Sequence, residues 1–382
     1  VENVLVTSVA TPHSTARSSG NAEATAVEPT AGRLADRAAA SPPASGRPRA
    51  ERRYDVDLIR ILATLAVILL HTSHLVDKVT PGRTSSGHYI TLFADAAGRF
   101  AVPAFFAMAG WAVLVAAPPR DGTTVRRRLA RILVPMAVWT AGYIAFVHLN
   151  GWYASTPPKT FAVNAAFGQI LPAYHLWYLY AYVPLILLLS LAALLRAGLR
   201  PIVPAIALLV IGVAAAAMPA ISALTGWEPP RFDWLPEFYQ LAYAVGGAVL
   251  LALPRIRMRW IWWLVALGGV VGTMVWEQKV EQPAPYGIPV IGLLTLGLLA
   301  ALSRVRIPER WRPAVVRLSE ASFGVYLVHL MILQALTSRF LAPRVDGMAA
   351  AATMVAFTAV TAAAAYALSL AWGKLRWRRV LG

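Results

Sequence analysis

Tyr54-Asp55-Val56-Asp57-Leu58-Ile59-Arg60 leads into the apolar run Ile61–Leu70, which closes on His71-Thr72-Ser73-His74. A helix needs about 20 mostly apolar residues to cross a bilayer, and this stretch supplies them over 56–75. At about 100° per residue, Asp57, Arg60, Thr64, His71 and His74 fall on one stripe of the helix. Arg60 and His71 are eleven residues apart, close to three turns, hence on one face and about 16 Å apart along the axis. A charge placed in hydrocarbon costs at least about 2.5–3.5 kcal/mol, so such a stripe is a functional candidate by default. The structural account is that Asp57 and Arg60 are interfacial anchors and the two histidines mark the far end.

Working outward, nine more segments have the length and apolarity of spans: 89–117, 132–149, 175–195, 201–224, 234–253, 260–276, 287–303, 319–341 and 348–372. Pro118-Pro119, Pro157-Pro158, Pro229-Pro230, Pro283 and Pro308 punctuate them. The whole 382-residue chain agrees: 58% of it is hydrophobic, 14% is charged and the mean hydropathy is +0.58. That balance excludes a soluble single-core enzyme and a disordered scaffold, and the lack of cysteine excludes a disulfide framework and thiolate–metal chemistry. The expectation is an all-α polytopic membrane protein with about ten transmembrane helices. Residues 1–53, rich in Ala, Ser, Thr, Pro and Arg, read as a disordered cytoplasmic tail without a cleaved signal. Residues 54–382 form the membrane domain.

The net charge is +17. With the N-terminus placed in the cytoplasm, the inner segments hold 26 Lys+Arg and the outer loops hold 7, alternating through every loop. This is the positive-inside pattern, so the basic charge reports topology and attraction to anionic lipid, not nucleic acid. The expected topology is N-in and C-in, in a bacterial plasma membrane.

The remaining intramembrane polar groups are few. Asp95 and Arg99 are one turn apart in the second span and precede Val102-Pro103-Ala104-Phe105-Phe106. They can neutralise each other, or Arg99 can serve a site. Arg126-Arg127-Arg128-Leu129-Ala130-Arg131 is both a topology signal and a place to hold a cytoplasmic anion. Tyr174-His175-Leu176-Trp177-Tyr178 opens the fourth span, where an aromatic belt is the simplest account. Ser322, Tyr326 and His329 lie in the ninth span, with Tyr326 and His329 on one face. No phosphate-binding Gly loop, His-Glu-x-x-His pattern or Gly-x-Ser-x-Gly elbow occurs.

In this order the motifs resemble the membrane acyltransferase 3 family of integral-membrane O-acyltransferases. Asp57-Leu58-Ile59-Arg60 with His71 is similar to its Asp-x-x-Arg opening and its Arg-x10-His pair. Arg99 to Phe106 is similar to Arg-x-x-Val-Pro-x-Phe-Phe, and Arg128 to Pro135 to Arg-x-x-Arg-x-x-x-Pro. His175 to Leu179 and Ser322 to His329 resemble two later signatures. One departure stands out: the family usually reads Ser-Gly-aromatic where this chain has Ala109-Gly110-Trp111.

The resemblance, covering about 54–375, implies helices around a central cavity, an acyl-CoA donor from the cytoplasm, acetyl-CoA first among candidates, and an acceptor hydroxyl. The acceptor is a glycan, a lipid-linked sugar or a small metabolite; no metal is called for. A histidine is the side chain suited to take a hydroxyl proton near neutral pH. His71 is therefore assigned as base, Arg60 as support on the donor side, and Arg99 as oxyanion stabiliser or acceptor holder. Arg60, Arg128, Arg131, Tyr326 and His329 are the candidate donor-binding groups, and His74, His175 and Trp177 the acceptor-binding ones. An acyl-histidine intermediate stays open. The competing class is a transporter or lipid flippase using the same polar stripe.

Overall fold

The computed structural model describes residues 52–382, apart from Ala154, 170–172 and Arg255. The expected tail falls outside the described residues up to Glu51. Its last two residues are described, and both are tied to the bundle: Arg52 pairs with Asp57 at 2.8 Å and Arg53 with Asp55 at 2.6 Å.

Among the described residues the regular structure is helical throughout. Helix α1, Tyr54–Asp77, contains no Gly or Pro, and Asp55 and Asp57 in its first turn complement the helix dipole. Its hydroxyls are satisfied within the helix: Thr64 donates to the Arg60 carbonyl, Thr72 to Ile68 and Ser73 to Leu70. Helix α1 packs on α2 (Ser86–Gly98), α3 (Ala101–Trp111), α11 (Arg312–Phe340) and α12 (Gly347–Lys374) and so forms the centre of the bundle.

The expected second span is broken in two. Helix α2 ends at Gly98, Arg99 and Phe100 form a turn, and α3 starts at Ala101 with Pro103 in its first turn. A proline cannot donate to the carbonyl four residues back, here that of Arg99, so the break falls at the one charged residue near mid-span. A π-helical turn, Ala112–Ala116, finishes the segment before Pro118-Pro119.

Helix α4, Gly122–Leu149, starts ten residues earlier than the expected span. Asp121 caps it, accepting from the Thr124 hydroxyl and the Thr124 amide, each at 2.7 Å, and these bonds hold the Asp121 carboxyl below its usual range. The basic cluster Arg126–Arg131 is thus helical rather than a loop, as good helix formers permit. Short helix α5, Pro158–Phe167, was not anticipated; it stops at Gly168, whose φ of 98° suits glycine. Helices α6 (Trp177–Arg196) and α7 (Ile202–Thr225) follow, the latter with Pro204 as its only buried residue.

Among the described residues, eight helical segments are long and apolar enough to cross a membrane. The other two expected spans are shorter: α8, Phe238–Ala252, has 15 residues and α10, Pro289–Leu302, has 14. At 1.5 Å per residue they rise only about 21–23 Å, short of the roughly 30 Å hydrocarbon core. Each is packed on a neighbouring helix along one face. Helix α8 lies against α3, where a Cβ on Gly110 would sit 1.8 Å from the Ala244 carbonyl oxygen and one on Gly247 2.3 Å from Ala107. Helix α10 lies as closely on α9, Arg259–Val280, through Gly269 and Gly297. Small residues that let backbones touch are how helices associate where lipid removes the hydrophobic drive. Gly110 of the departing Ala-Gly-Trp motif is thereby accounted for as packing. A last short helix, α13 (Arg378–Leu381), folds back so that the Leu381 carbonyl accepts from the Trp139 indole.

Candidate active site

Three histidines from distant parts of the chain meet between α1, α11 and the 3-10 turn Tyr174–Leu176 that precedes α6. The His71 and His329 rings stack with centroids 5.3 Å apart; His175 stands edge-on to both, at 6.4 Å and 5.1 Å. Tyrosines surround them. The Tyr174 hydroxyl lies 3.2 Å from His71 Nδ1. Tyr326 donates to the His175 carbonyl at 2.5 Å. Tyr143, fully buried, packs its ring 5.2 Å from that of His175 and donates to the Leu327 carbonyl while accepting from the Met331 amide. That pair of bonds spans the turn of α11 containing His329 and fixes it in place.

Within the cluster, neither ring nitrogen of His175 has a hydrogen-bond partner, and neither does Nε2 of His329. Buried polar nitrogens without partners are uncommon and costly, and their grouping here makes the cluster the candidate site. No group of three or more His, Asp or Glu among the described residues has metal-holding geometry.

On the Arg60 side of the cluster lies a cavity of about 260 Å³ lined by Arg60, Phe105, Arg131, Tyr178, Ser322 and Tyr326, among others. Arg60 donates to the Ser319 hydroxyl at 2.9 Å, and Ser319 donates to Asp57 at 2.6 Å. Asp57 thus holds Arg60 and Arg52 together, and the Arg60 side chain keeps 37% exposure toward the cavity. Arg131 is exposed. On the other side, about 210 Å³ is enclosed by His74, Trp152, Tyr153, Tyr174, Leu330 and Gln334, with Lys78 at its edge. Tyr326 faces the first space and Tyr174 the second, with the histidines between.

Arg99 is elsewhere. Its guanidinium contacts Asp95 at 2.7 Å and Glu277 at 2.6 Å, donates to the Ala284 carbonyl at 2.8 Å, and lies over the Tyr286 ring. It lines a separate polar pocket of about 180 Å³ with His74, Asp77, His88, Asp95 and Glu277. None of the three clustered histidines lines that pocket, and two carboxylates already engage Arg99 Nε. From sequence, Arg99 has either the oxyanion or the acceptor to hold; the structure puts it in this polar pocket, apart from the three histidines.

The other sequence candidates distribute as follows. Arg60, Arg131 and Tyr326 share the first cavity. His329, grouped from sequence with the donor-binding residues, belongs to the histidine cluster. Arg128 is turned to the Ala117 carbonyl and does not line the cavity. His74 borders both the pocket at Arg99 and the one at Tyr174. Trp177 stacks on Tyr286, with centroids 5.8 Å apart, beside Arg99 and away from the histidines. Three residues escaped the sequence reading. Glu277, an acid at the edge of the span 260–276, carried the usual signal of an intramembrane charge. Ser319 and Tyr143 carried none.

Helices long and apolar enough to span a membrane, with a buried histidine cluster between two cavities, are the build of a multi-pass membrane protein. The acyltransferase 3 family model, an acyltransferase domain, matches residues 53–371, and the chain belongs to that family. It is an acyltransferase. No curated protein and no solved structure matches the chain.

Proposed function

We propose that the protein moves an acyl group, acetyl in the first instance, from cytoplasmic acyl-CoA to a hydroxyl of a glycan, lipid-linked sugar or small metabolite. The observation that carries this reading is the histidine cluster between two cavities, one of them bordered by Arg60 and Arg131. A guanidinium pair at a cavity mouth suits the phosphates of CoA, and the apolar lining suits the pantetheine arm and thioester. The charge split between loops supports an N-in, C-in topology, which turns the Arg60 end toward the cytoplasm. A bacterial plasma membrane suits this arrangement.

His71 serves as base for the acceptor hydroxyl. Its Nδ1 touches Tyr174, which faces the outer space. As the proton passes to His71, the hydroxyl oxygen becomes a nucleophile for the acyl carbon. The aromatic lining of that space by Trp152, Tyr153 and Tyr174 and the polar pocket at Arg99 support a polar, ring-bearing acceptor.

Incubating membranes containing the protein with radiolabelled acetyl-CoA tests this. Labelled acceptor and free CoA are the expected products. A transporter would release no CoA, and absence of CoA release across acetyl-CoA and longer acyl-CoAs would overturn the reading.

A further inference from the structure

The His329 Nδ1 atom lies 2.7 Å from the Tyr326 carbonyl oxygen. A carbonyl only accepts, so Nδ1 carries the ring proton and Nε2 presents its lone pair. That Nε2 is buried and has no partner. Tautomer and orientation are therefore set by the helix itself, one turn from the Tyr326 ring that faces the Arg60 cavity.

The two cavities share no lining residue, and His71, His175 and His329 line neither. Direct transfer would need the thioester carbon and the acceptor oxygen within about 3–3.5 Å of each other in one space. A wall of histidine separates them instead. His329 faces Tyr326 on the donor side and stacks on His71, whose other neighbour is Tyr174 on the far side.

Building on the acyl-CoA reading above, we infer that His329 Nε2 is the nucleophile that carries the acyl group between the two cavities. In the first half, the Nε2 lone pair attacks the thioester carbon; the N–C bond forms, the C–S bond breaks, and CoA leaves as thiolate. The ring becomes an N-acylimidazolium whose Nδ1–H stays on the Tyr326 carbonyl. In the second half, the acceptor oxygen attacks the acyl carbon while His71 takes its proton; the C–O bond forms, the C–N bond breaks, and Nε2 regains its lone pair. The proton on His71 is finally balanced by the CoA thiolate, so the sum is alcohol plus thioester giving ester plus CoA thiol. Carrying the acyl group covalently splits one transfer between separated substrates into two short ones.

The experiment is isotope exchange between acetyl-CoA and labelled free CoA by the purified full chain in nanodiscs, with no acceptor present. The wild type is expected to exchange. His329→Asn, whose side-chain amide can still donate to the Tyr326 carbonyl but which lacks Nε2, is expected to lose exchange by at least about 100-fold with acetyl-CoA affinity kept within threefold. His329→Ala provides a second variant. Hydroxylamine-labile acetyl on the wild-type peptide containing His329, read by mass spectrometry, is the accompanying signature. A wild type that binds acetyl-CoA and forms ester without exchange overturns the carrier and leaves the acyltransferase reading standing; so does exchange that survives in His329→Asn. Failure of the wild type to bind any acyl-CoA removes both.

Discussion

The imidazole rings of His71 and His329 lie 24° from parallel with centroids 5.3 Å apart, one on α1 and the other on α11. Stacked rings do not hydrogen-bond to each other, so each is free to present a nitrogen to a different side. The Tyr174 hydroxyl meets the first, and the Tyr326 carbonyl holds the second. The relation places two bases back to back between two cavities.

Replacing His71 by Ala is expected to abolish ester formation, by about 10²–10⁴-fold or more, while acyl-CoA still binds. His74→Ala, on the rim of the pockets at Arg99 and Tyr174, is expected to retain far more turnover. Purified variants compared at saturating acyl-CoA check this. Equal activity in the two would remove His71 as base.

Arg60→Ala is expected to weaken acyl-CoA binding about 10–100-fold, the worth of a charged hydrogen bond of about 1.5–3 kcal/mol. The bundle should survive, because Asp57 keeps Arg52 and Ser319 as partners. Equilibrium binding of labelled acetyl-CoA measures the effect. Unchanged affinity would place the donor phosphates elsewhere.

Arg99→Ala leaves Asp95 and Glu277 facing each other with their cation gone. Removing one partner from a buried ion pair typically costs about 3–5 kcal/mol, so a large drop in thermal midpoint in detergent is expected. Lysine should rescue the midpoint only in part, since it cannot bridge two carboxylates and the Ala284 carbonyl with the same fork. A stable Arg99→Ala protein would show that the pair is not holding α2 to α9.

Gly110→Ala drives a methyl onto the Ala244 carbonyl, a backbone atom that cannot swing away. Overpacking costs about 1–3 kcal/mol at an ordinary site, and separating α3 from α8 is expected to cost at least that. Gly246→Ala, whose nearest neighbour is a Leu296 methyl at 3.8 Å, is the tolerant comparison. Thermal unfolding of both variants side by side decides; equal midpoints would dissolve the argument.

The chain has no cysteine, so single introduced thiols report topology cleanly. A thiol at Lys159 is expected to react with an impermeant reagent in intact cells, and one at Thr123 only after permeabilisation. Labelling of the Thr123 position in intact cells would reverse the N-in assignment.

Much of the fold was legible from α1 outward. Apolar runs of the right length mark the eight long spans, because bilayer thickness imposes a length that hydropathy alone records. The order of the Arg, Pro and His motifs resembled the acyltransferase 3 family, which the family match bears out. The break at Arg99 was half-legible: Pro103 was visible, but not that the turn would sit four residues before it. The shortness of α8 and α10 was not legible, since the apolar stretches begin before the helices do, at Trp234-Leu235 ahead of α8 and at Gly287-Ile288 ahead of α10.

Local sequence thus determined the helices, the stripe carrying Arg60 and His71, and the family. Tertiary packing alone decided that His71, His175 and His329 meet, that Arg99 turns to Glu277 instead of to them, and that two separate cavities flank the cluster. The reason is physical. Helical period and hydropathy are properties of neighbouring residues, whereas how α1, α11 and the turn 174–176 meet depends on contacts between residues far apart in the chain, such as the Tyr143 bonds to α11 and the Tyr326 bond to the His175 carbonyl.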